Sequence, residues 1–407
     1  MSDLEQFRSE ARAWMEENCP PEMRDGDMTA EKQCWGGRKW QFQSDAQKLW
    51  FERALAKGYT VPTWPKEYGG AGLSTDEAKI LEEERQRINA RKPLSNFGIS
   101  MLGPALLAYG THEQKDMHLN RIANGEIRWC QGYSEPGAGS DLASLKSKCE
   151  EVVIDGVDHW LLNGQKIWTS NADISDWIFC LFRTDFDAPK HKGITFILLD
   201  MASEGITVKP IILISGHSPF CETFFDNVKV PKEYGPGNPA VVGEVNRGWD
   251  VAKALLVHER GMLGTASPLR GTTGPDNLGE FAAGEIGLDE AGRLADPSLR
   301  ERIVRAEIDD WAYTLTVERM NDEANAGNGL GAKSSMLKYA ASELTKKGTE
   351  LRMDIGGTKA ATVGKDGIEY GSLANMWLYN RAYSILGGTT EVQLNIISKR
   401  VLELPDA

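Results

Sequence analysis

The absences in this sequence narrow its chemistry before any motif does. No apolar run approaches the roughly 18 to 20 residues that a bilayer-spanning helix needs. The first residues, MSDLEQFRSEARAWMEEN, lack the basic and apolar segments of a secretory signal. They read as an amphipathic helix carrying Leu4, Phe7, Ala11 and Trp14 at helical spacing. Basic charge is scarce: 46 Lys and Arg against 59 Asp and Glu leave a net charge of -13. That argues against a nucleic-acid partner, which needs a basic face. It does not exclude a nucleotide held by backbone N–H groups and one or two local cations. The six cysteines (19, 34, 130, 149, 180 and 221) form no C-x-x-C, and the six histidines form no H-E-x-x-H. No metal and no disulfide framework are therefore expected, and the thiols read as reduced and buried. A cytoplasmic protein without a membrane partner is the expectation.

What is present changes period twice along the 407 residues, a length that calls for two or three packed units. Up to about residue 125 the strong segments are helical, at 3–18, 39–57 and 75–90. From about 128 to 240 β-branched and aromatic runs predict strands at Trp177–Arg183, Ile194–Leu199, Ile206–Ile212 and Thr223–Val230. Asp155-Gly156 and Asn163-Gly164 are hairpin-type dipeptides. From about 244 the chain turns helical again, near 247–263, 297–325, 333–354 and 371–386. A last helix follows Gly387-Gly388, with Thr390 to Gln393 fitting a capping box. The Gly-rich stretch 264–296 predicts a loop or a weak helix.

One segment stands where helix gives way to strand: Trp-Cys-Gln-Gly-Tyr-Ser-Glu-Pro-Gly-Ala-Gly-Ser-Asp, residues 129–141. Pro136-Gly137 and Gly139 predict a tight turn whose backbone N–H groups can approach a phosphate or a ring. Ser134, Ser140 and Gln131 add hydrogen-bonding groups. The pattern is not G-x-G-x-x-G opening a helix, so a Rossmann reading fails on context.

Gln131 to Asp141 resembles the first signature of the acyl-CoA dehydrogenase family, and Lys166-Ile-Trp-Thr-Ser-Asn-Ala resembles its second. Further blocks agree in order: Pro62-Thr-Trp-Pro-Lys-Glu-Tyr-Gly-Gly, Phe224-Phe-Asp-Asn-Val-Lys-Val-Pro, Val242-Gly-Glu-Val-Asn-Arg-Gly-Trp and Leu386-Gly-Gly-Thr-Thr-Glu-Val-Gln. The resemblance covers residues 3 to about 405. It implies an α+β fold with an N-terminal α-helical domain (1–127), a middle β-barrel-like domain (128–241) and a C-terminal four-helix bundle (242–407).

It also implies FAD, with Gln131, Ser134, Gly139, Ser140, Trp168, Thr169 and Ser170 around the flavin. Gly356, Gly357, Thr389 and Glu391 would serve the adenosine half, and Ser140 would lie near the pantetheine and pyrophosphate. The implied reaction is α,β-dehydrogenation of an acyl-CoA, with an electron-transfer flavoprotein as acceptor and a role in lipid catabolism. A homotetramer or homodimer is implied, or a heterotetramer with a paralogous subunit.

Many members carry their catalytic base at the position of Gly387, which here can offer only its backbone N–H. In isovaleryl- and long-chain-type members the base is a glutamate preceding an arginine early in the first C-terminal helix. Leu255-Leu-Val-His-Glu-Arg-Gly matches that pattern, making Glu259 the candidate base and Arg260 a substrate-binding candidate. His258 points to another helix face. A glycine at 387 widens the acyl cavity and favours a branched, cyclic or bulky acyl group. The Arg-x-x-Phe-Gly segment that many members use to hold FAD is missing, and Arg270 is the one candidate substitute. Rival readings are altered flavin chemistry (an oxidase, a desulfinase or an aromatic hydroxylase component) and a non-catalytic partner subunit.

Overall fold

The computed structural model describes residues 3–26, 32–263, 269, 277–328, 331–362 and 372–405, without the side chains of 257–263, 325 and 328. The chain divides into two compact units, residues 1–211 with 218–255, and residues 212–217 with 256–407. Among the described residues no helix is long and apolar enough to cross a membrane.

The first unit opens with α1 (Asp3–Asn18), α2 (Asp45–Ala56), α3 (Thr75–Arg87), α4 (Gly103–Tyr109) and α5 (His112–Ala123). α1 buries Ala11 and Met15 against Trp50 and Leu81, with Phe7 and Trp14 packed beside them, so most of the helical spacing read from the sequence faces a core, but Leu4 is exposed. α3 and α5 start on reciprocal caps, Ser74 with Glu77 and Thr111 with Gln114, each satisfying two N–H groups that the helix itself leaves open. α2 starts later than the expected residue 39. The Ser44 hydroxyl accepts the Gln47 N–H at 3.1 Å and fixes the helix start there.

Seven strands follow: β1 (Trp129–Gly132), β2 (Lys148–Ile154), β3 (Val157–Ser170), β4 (Trp177–Arg183), β5 (Ile194–Asp200), β6 (Ile206–Ile211) and β7 (Phe220–Pro231). They form one curled sheet in the order β1-β4-β2-β3-β7-β6, with β5 added on β4. All seven residues of β4 are buried, so its continuous apolar run is covered on both faces. Each large apolar side chain buried there contributes roughly 1.5–3 kcal/mol. β6 and β2 alternate with solvent instead.

Asp155 and Gly156 turn β2 into β3 with φ of 50° and 79°, the two positive values that a tight hairpin needs. Asn163-Gly164 is not a second hairpin. It lies inside β3 at a register shift against β7, and a Cβ on Gly164 would come within 2.3 Å of the Ser147 hydroxyl. The glycine serves a bulge and a close approach. The six cysteines are buried and free.

α6 (Gly248–Leu263) leads into the second unit, which contains α7 (Leu278–Ile286), α8 (Pro297–Glu323), α9 (Ser334–Ala360), α10 (Leu373–Asn380) and α11 (Thr390–Ile396). α8 and α9 are antiparallel: Leu299 and Ile303 cluster with Leu351 and Ile355, while Val317 and Met320 cluster with Leu337 and Ala341. Ion pairs Arg302–Asp354, Asp309–Lys347 and Glu323–Lys333 keep the same register along the pair. Within the stretch 264–296 the helix alternative holds at α7, which Asn277 caps. The expected 371–386 helix closes at Asn380 and continues as a tighter turn.

Candidate functional site

Sequence neighbours 129–141 and 166–171 meet in the first unit through strand pairing. β1 lies parallel to β4, placing Gln131 opposite Phe179. Beyond β1 the chain doubles back through Pro136-Gly137. Glu135 and Ala138 exchange both backbone hydrogen bonds, each at 3.0 Å. Among the described residues other than its chain neighbours, no atom lies within 4 Å of the place where a Cβ would sit on Gly137 or Gly139. Those glycines therefore leave an open backbone cradle rather than fill a packed corner. Ser140 beside them is exposed, and Asp141 pairs with Lys190 at 2.9 Å.

The second segment is a distorted end of β3. The Ile167 N–H donates to the Ser134 carbonyl at 2.9 Å, tying the two motifs together. The ladder with β7 shifts between Lys166 and Thr169, and Trp168 takes φ of 61°, a left-handed value that an indole residue rarely adopts. The irregularity turns the Trp168 ring outward: it is 53% exposed although it sits in a long strand, and its edge contacts Phe220. Thr169 points the other way and is buried. The Gln131 Nε2 and Thr169 Oγ1 atoms are buried and meet no hydrogen-bond partner among the described residues. Buried polar groups are seldom left unpaired, so both atoms have the capacity to bond a polar ligand edge.

Beneath this surface lies a charge pair that the motif reading left without a role. Lys166 is fully buried, and its ammonium donates to Glu135 at 2.8 Å and to the Tyr133 carbonyl at 3.3 Å. Glu135 also accepts the Lys146 and Ser147 N–H groups at 2.7 and 2.9 Å. Burial pushes the Lys166 ammonium down from its ordinary value while Glu135 opposes it. Burial works against the Glu135 carboxylate too, but Lys166 and its N–H donors outweigh it and hold it below the usual range.

In the second unit Gly387 lies between the turn after α10 and the start of α11, with φ of 65°. The carbonyls of this segment are taken. Gln393 Nε2 donates to Gly387 and Gly388 at 3.2 and 3.4 Å, and the buried Lys338 donates to Gly388 and Tyr383 at 2.8 and 2.9 Å. α11 is capped by Thr389, whose hydroxyl accepts the Val392 N–H, not by Thr390 as the sequence pattern suggested. Gln393 faces the glycine carbonyls instead of closing a capping box. Glu391 is exposed in the first turn of α11. Gly356 is buried inside α9, where a Cβ would come within 2.7 Å of Ala360, and Gly357 breaks the helical backbone with φ of 51°. Glu259, Arg260 and His258 fall on α6, but their side chains lie outside the described residues, as does Arg270 altogether.

Three family models match in order along the chain: the acyl-CoA dehydrogenase N-terminal domain over residues 1–126, its middle domain over 130–228 and its C-terminal domain over 246–402. The chain belongs to the acyl-CoA dehydrogenase family. It is an oxidoreductase of the CH–CH class. Acyl-CoA dehydrogenase IpdE1 of Mycobacterium tuberculosis is 36% identical over 407 residues, covering 100% of this chain and 99% of the relative. Among solved structures, the steroid acyl-CoA dehydrogenase Tcur3481-Tcur3483 has a TM-score of 0.76 at 28% identity, covering 100% of this chain and 99% of that one. The ChsE4-ChsE5 complex of Mycobacterium tuberculosis has a TM-score of 0.74 at 28% identity, with the same coverage.

Members of this acyl-CoA dehydrogenase family are FAD-binding flavoproteins. The first unit fits such a group with two orphaned donors, an outward indole face and an open glycine turn within one pair of joined segments. The residues missed by sequence reasoning, Glu135 and Lys338, had weak signals. Each is a charged residue whose partner is set only by the fold.

Proposed function

We propose that this chain is an FAD-dependent dehydrogenase that introduces an α,β double bond into an acyl-CoA thioester carrying a branched, cyclic or otherwise bulky acyl group. The observation that carries the reading is Gly387 in place of a carboxylate, together with a His-Glu-Arg sequence on α6. FAD, when bound, would supply the acceptor for the β-hydride, with an electron-transfer flavoprotein as the onward acceptor. Gln131, Ser134, Thr169 and Ser170 offer hydrogen bonds to its polar edge, Trp168 offers a ring face, and Gly139 and Ser140 admit close backbone approach. Gly356, Gly357, Thr389 and Glu391 serve its adenosine half.

Glu259 removes the α-proton of the thioester, a step that needs a carboxylate desolvated enough to act as a base. The Gly387 N–H donates to the thioester carbonyl and stabilises the enolate that develops there. Ser140 and Arg260 hold the CoA side of the substrate. The absence of a side chain at 387 leaves room beside the α-carbon. The names of the steroid dehydrogenase and of the ChsE4-ChsE5 complex support a fused-ring acyl group and an assembly with a paralogous subunit.

Anaerobic titration with a panel of straight-chain, branched and cyclic acyl-CoAs tests the reading through bleaching of the flavin band. Preference for straight chains would remove the bulky-substrate assignment, and near wild-type reduction in Glu259→Gln would remove Glu259 as the base. Chromatography of the chain alone and with a co-expressed paralogue distinguishes the assemblies.

A further inference from the structure

The Lys166–Glu135 pair is expensive to build. Two charges leave water, and attraction between them offsets that desolvation only when further hydrogen bonds satisfy both. Here both are satisfied, and the partners they choose are informative. Glu135 sits in the turn that follows Gln131 and Ser134, and it accepts N–H groups from Lys146 and Ser147 where the chain enters β2. Lys166 stands one residue before Ile167, whose N–H holds Ser134, and two before the left-handed Trp168. Its ammonium spans Tyr133 and Glu135 and lies 5.3 Å from the Phe182 ring centre. Three stretches of chain therefore converge on one pair of charges: 131–138, 146–147 and 166–169. Two of them carry the orphaned Gln131 and Thr169 atoms.

We infer that the buried Lys166–Glu135 ion pair is a positioning element for the flavin site, fixing the 131–140 turn and the 166–169 bulge in register so that Gln131 and Thr169 present their free polar atoms to one ligand edge. The inference rests on the FAD reading above. Neither residue touches the ligand: Lys166 is enclosed in the sheet interior, and Glu135 is occupied by three donors. A pair that only stabilised the fold would affect melting and leave ligand affinity alone. A positioning pair affects affinity even when melting is preserved.

The experiment uses the full chain, stripped of flavin and titrated with FAD, following affinity and the shape of the bound flavin absorption band. The double variant Lys166→Met with Glu135→Gln removes both charges at once, so neither is left buried alone. Cooperative melting close to that of the wild-type apoprotein, FAD binding weakened about tenfold or more and a flavin band shifted toward that of free flavin are expected. A double variant that melts normally and binds FAD with wild-type affinity and band shape overturns the inference. If the double variant does not melt cooperatively, Glu135→Asp decides. It keeps both charges but shortens the reach to Lys146, Ser147 and Lys166, so weaker FAD binding supports the inference and unchanged binding overturns it. A wild-type chain that takes up no FAD brings down the functional reading itself, an outcome separate from any difference between variants.

Discussion

In the first unit, Gln131 and Thr169 are placed by strand pairing and Trp168 by the register shift beside them, with the Lys166–Glu135 pair buried nearby. In the helical unit, Gly387 sits in a turn whose carbonyls are gripped from outside by Lys338 and Gln393. The first arrangement is rigid because backbone ladders over-determine it: one bulge sets Trp168 outward and Thr169 inward together. The second depends on a few long side chains reaching a glycine-rich loop. The comparison teaches where chemistry and binding are separable. Changes in the sheet unit should act mainly on the cofactor, and changes around α6 and Gly387 mainly on turnover.

The largest expected effect tests the turnover side. Glu259→Gln should lower kcat by about 10²- to 10⁴-fold with FAD content unchanged, measured by anaerobic stopped-flow reduction. A variant that instead lost its flavin would erase the division between the two units. Next, Lys166→Met alone should destabilise the protein by about 3–5 kcal/mol, because it leaves Glu135 buried without its cation. Denaturant melts of the single and double variants measure it, and the double should recover much of the loss.

A third expectation concerns His118, fully buried on α5 with its ring edge-on to Trp129 and Trp177. Burial, with Arg121 adding to it, pushes its value down to about 3. The folded imidazole stays neutral while the unfolded one protonates near its ordinary 6.5, so the unfolded state binds more protons between these values. Stability is full above about pH 6.5 and falls toward pH 3, by at most about 1.4 kcal/mol per pH unit from this group. Melts of His118→Phe across that window should show a shallower acid slope, and an unchanged slope would remove His118 as its source.

On the helical side, Gly387→Ala forces a side chain into φ of 65°, which costs roughly 1–2 kcal/mol. If the amide supports the thioester, kcat should fall more than KM rises. The smallest effect is Ser372→Ala, about 1 kcal/mol from the lost α10 cap, where its hydroxyl accepts the Asn375 N–H. It should leave the flavin spectrum unchanged.

The sequence was most legible where period and turn chemistry act locally. β4 and β5 begin where their apolar runs begin, and Asp155-Gly156 makes the expected hairpin. Asn163-Gly164 carried the same turn signal, yet it lies mid-strand because Ser147 approaches its backbone. That contact comes from the residue just before β2, seventeen positions away, and no dipeptide encodes it. Thr390-to-Gln393 likewise fitted a capping box, but the Gln393 side chain is drawn to the Gly387 and Gly388 carbonyls, so Thr389 becomes the cap. Glu135 was visible inside a motif and read as a turn residue, since its partner Lys166 lies thirty-one positions away.

By itself, the sequence determined the ordered blocks and therefore the family, the order of helical and β segments, and the glycine at 387. These are local or cumulative signals, readable along one dimension. Only the tertiary structure decided that Gln131 Nε2 and Thr169 Oγ1 have no partner among the described residues, that Trp168 faces outward, and that one buried ion pair joins the two signatures. Each of those depends on strand register, and a shift of one residue reverses the face that every side chain presents.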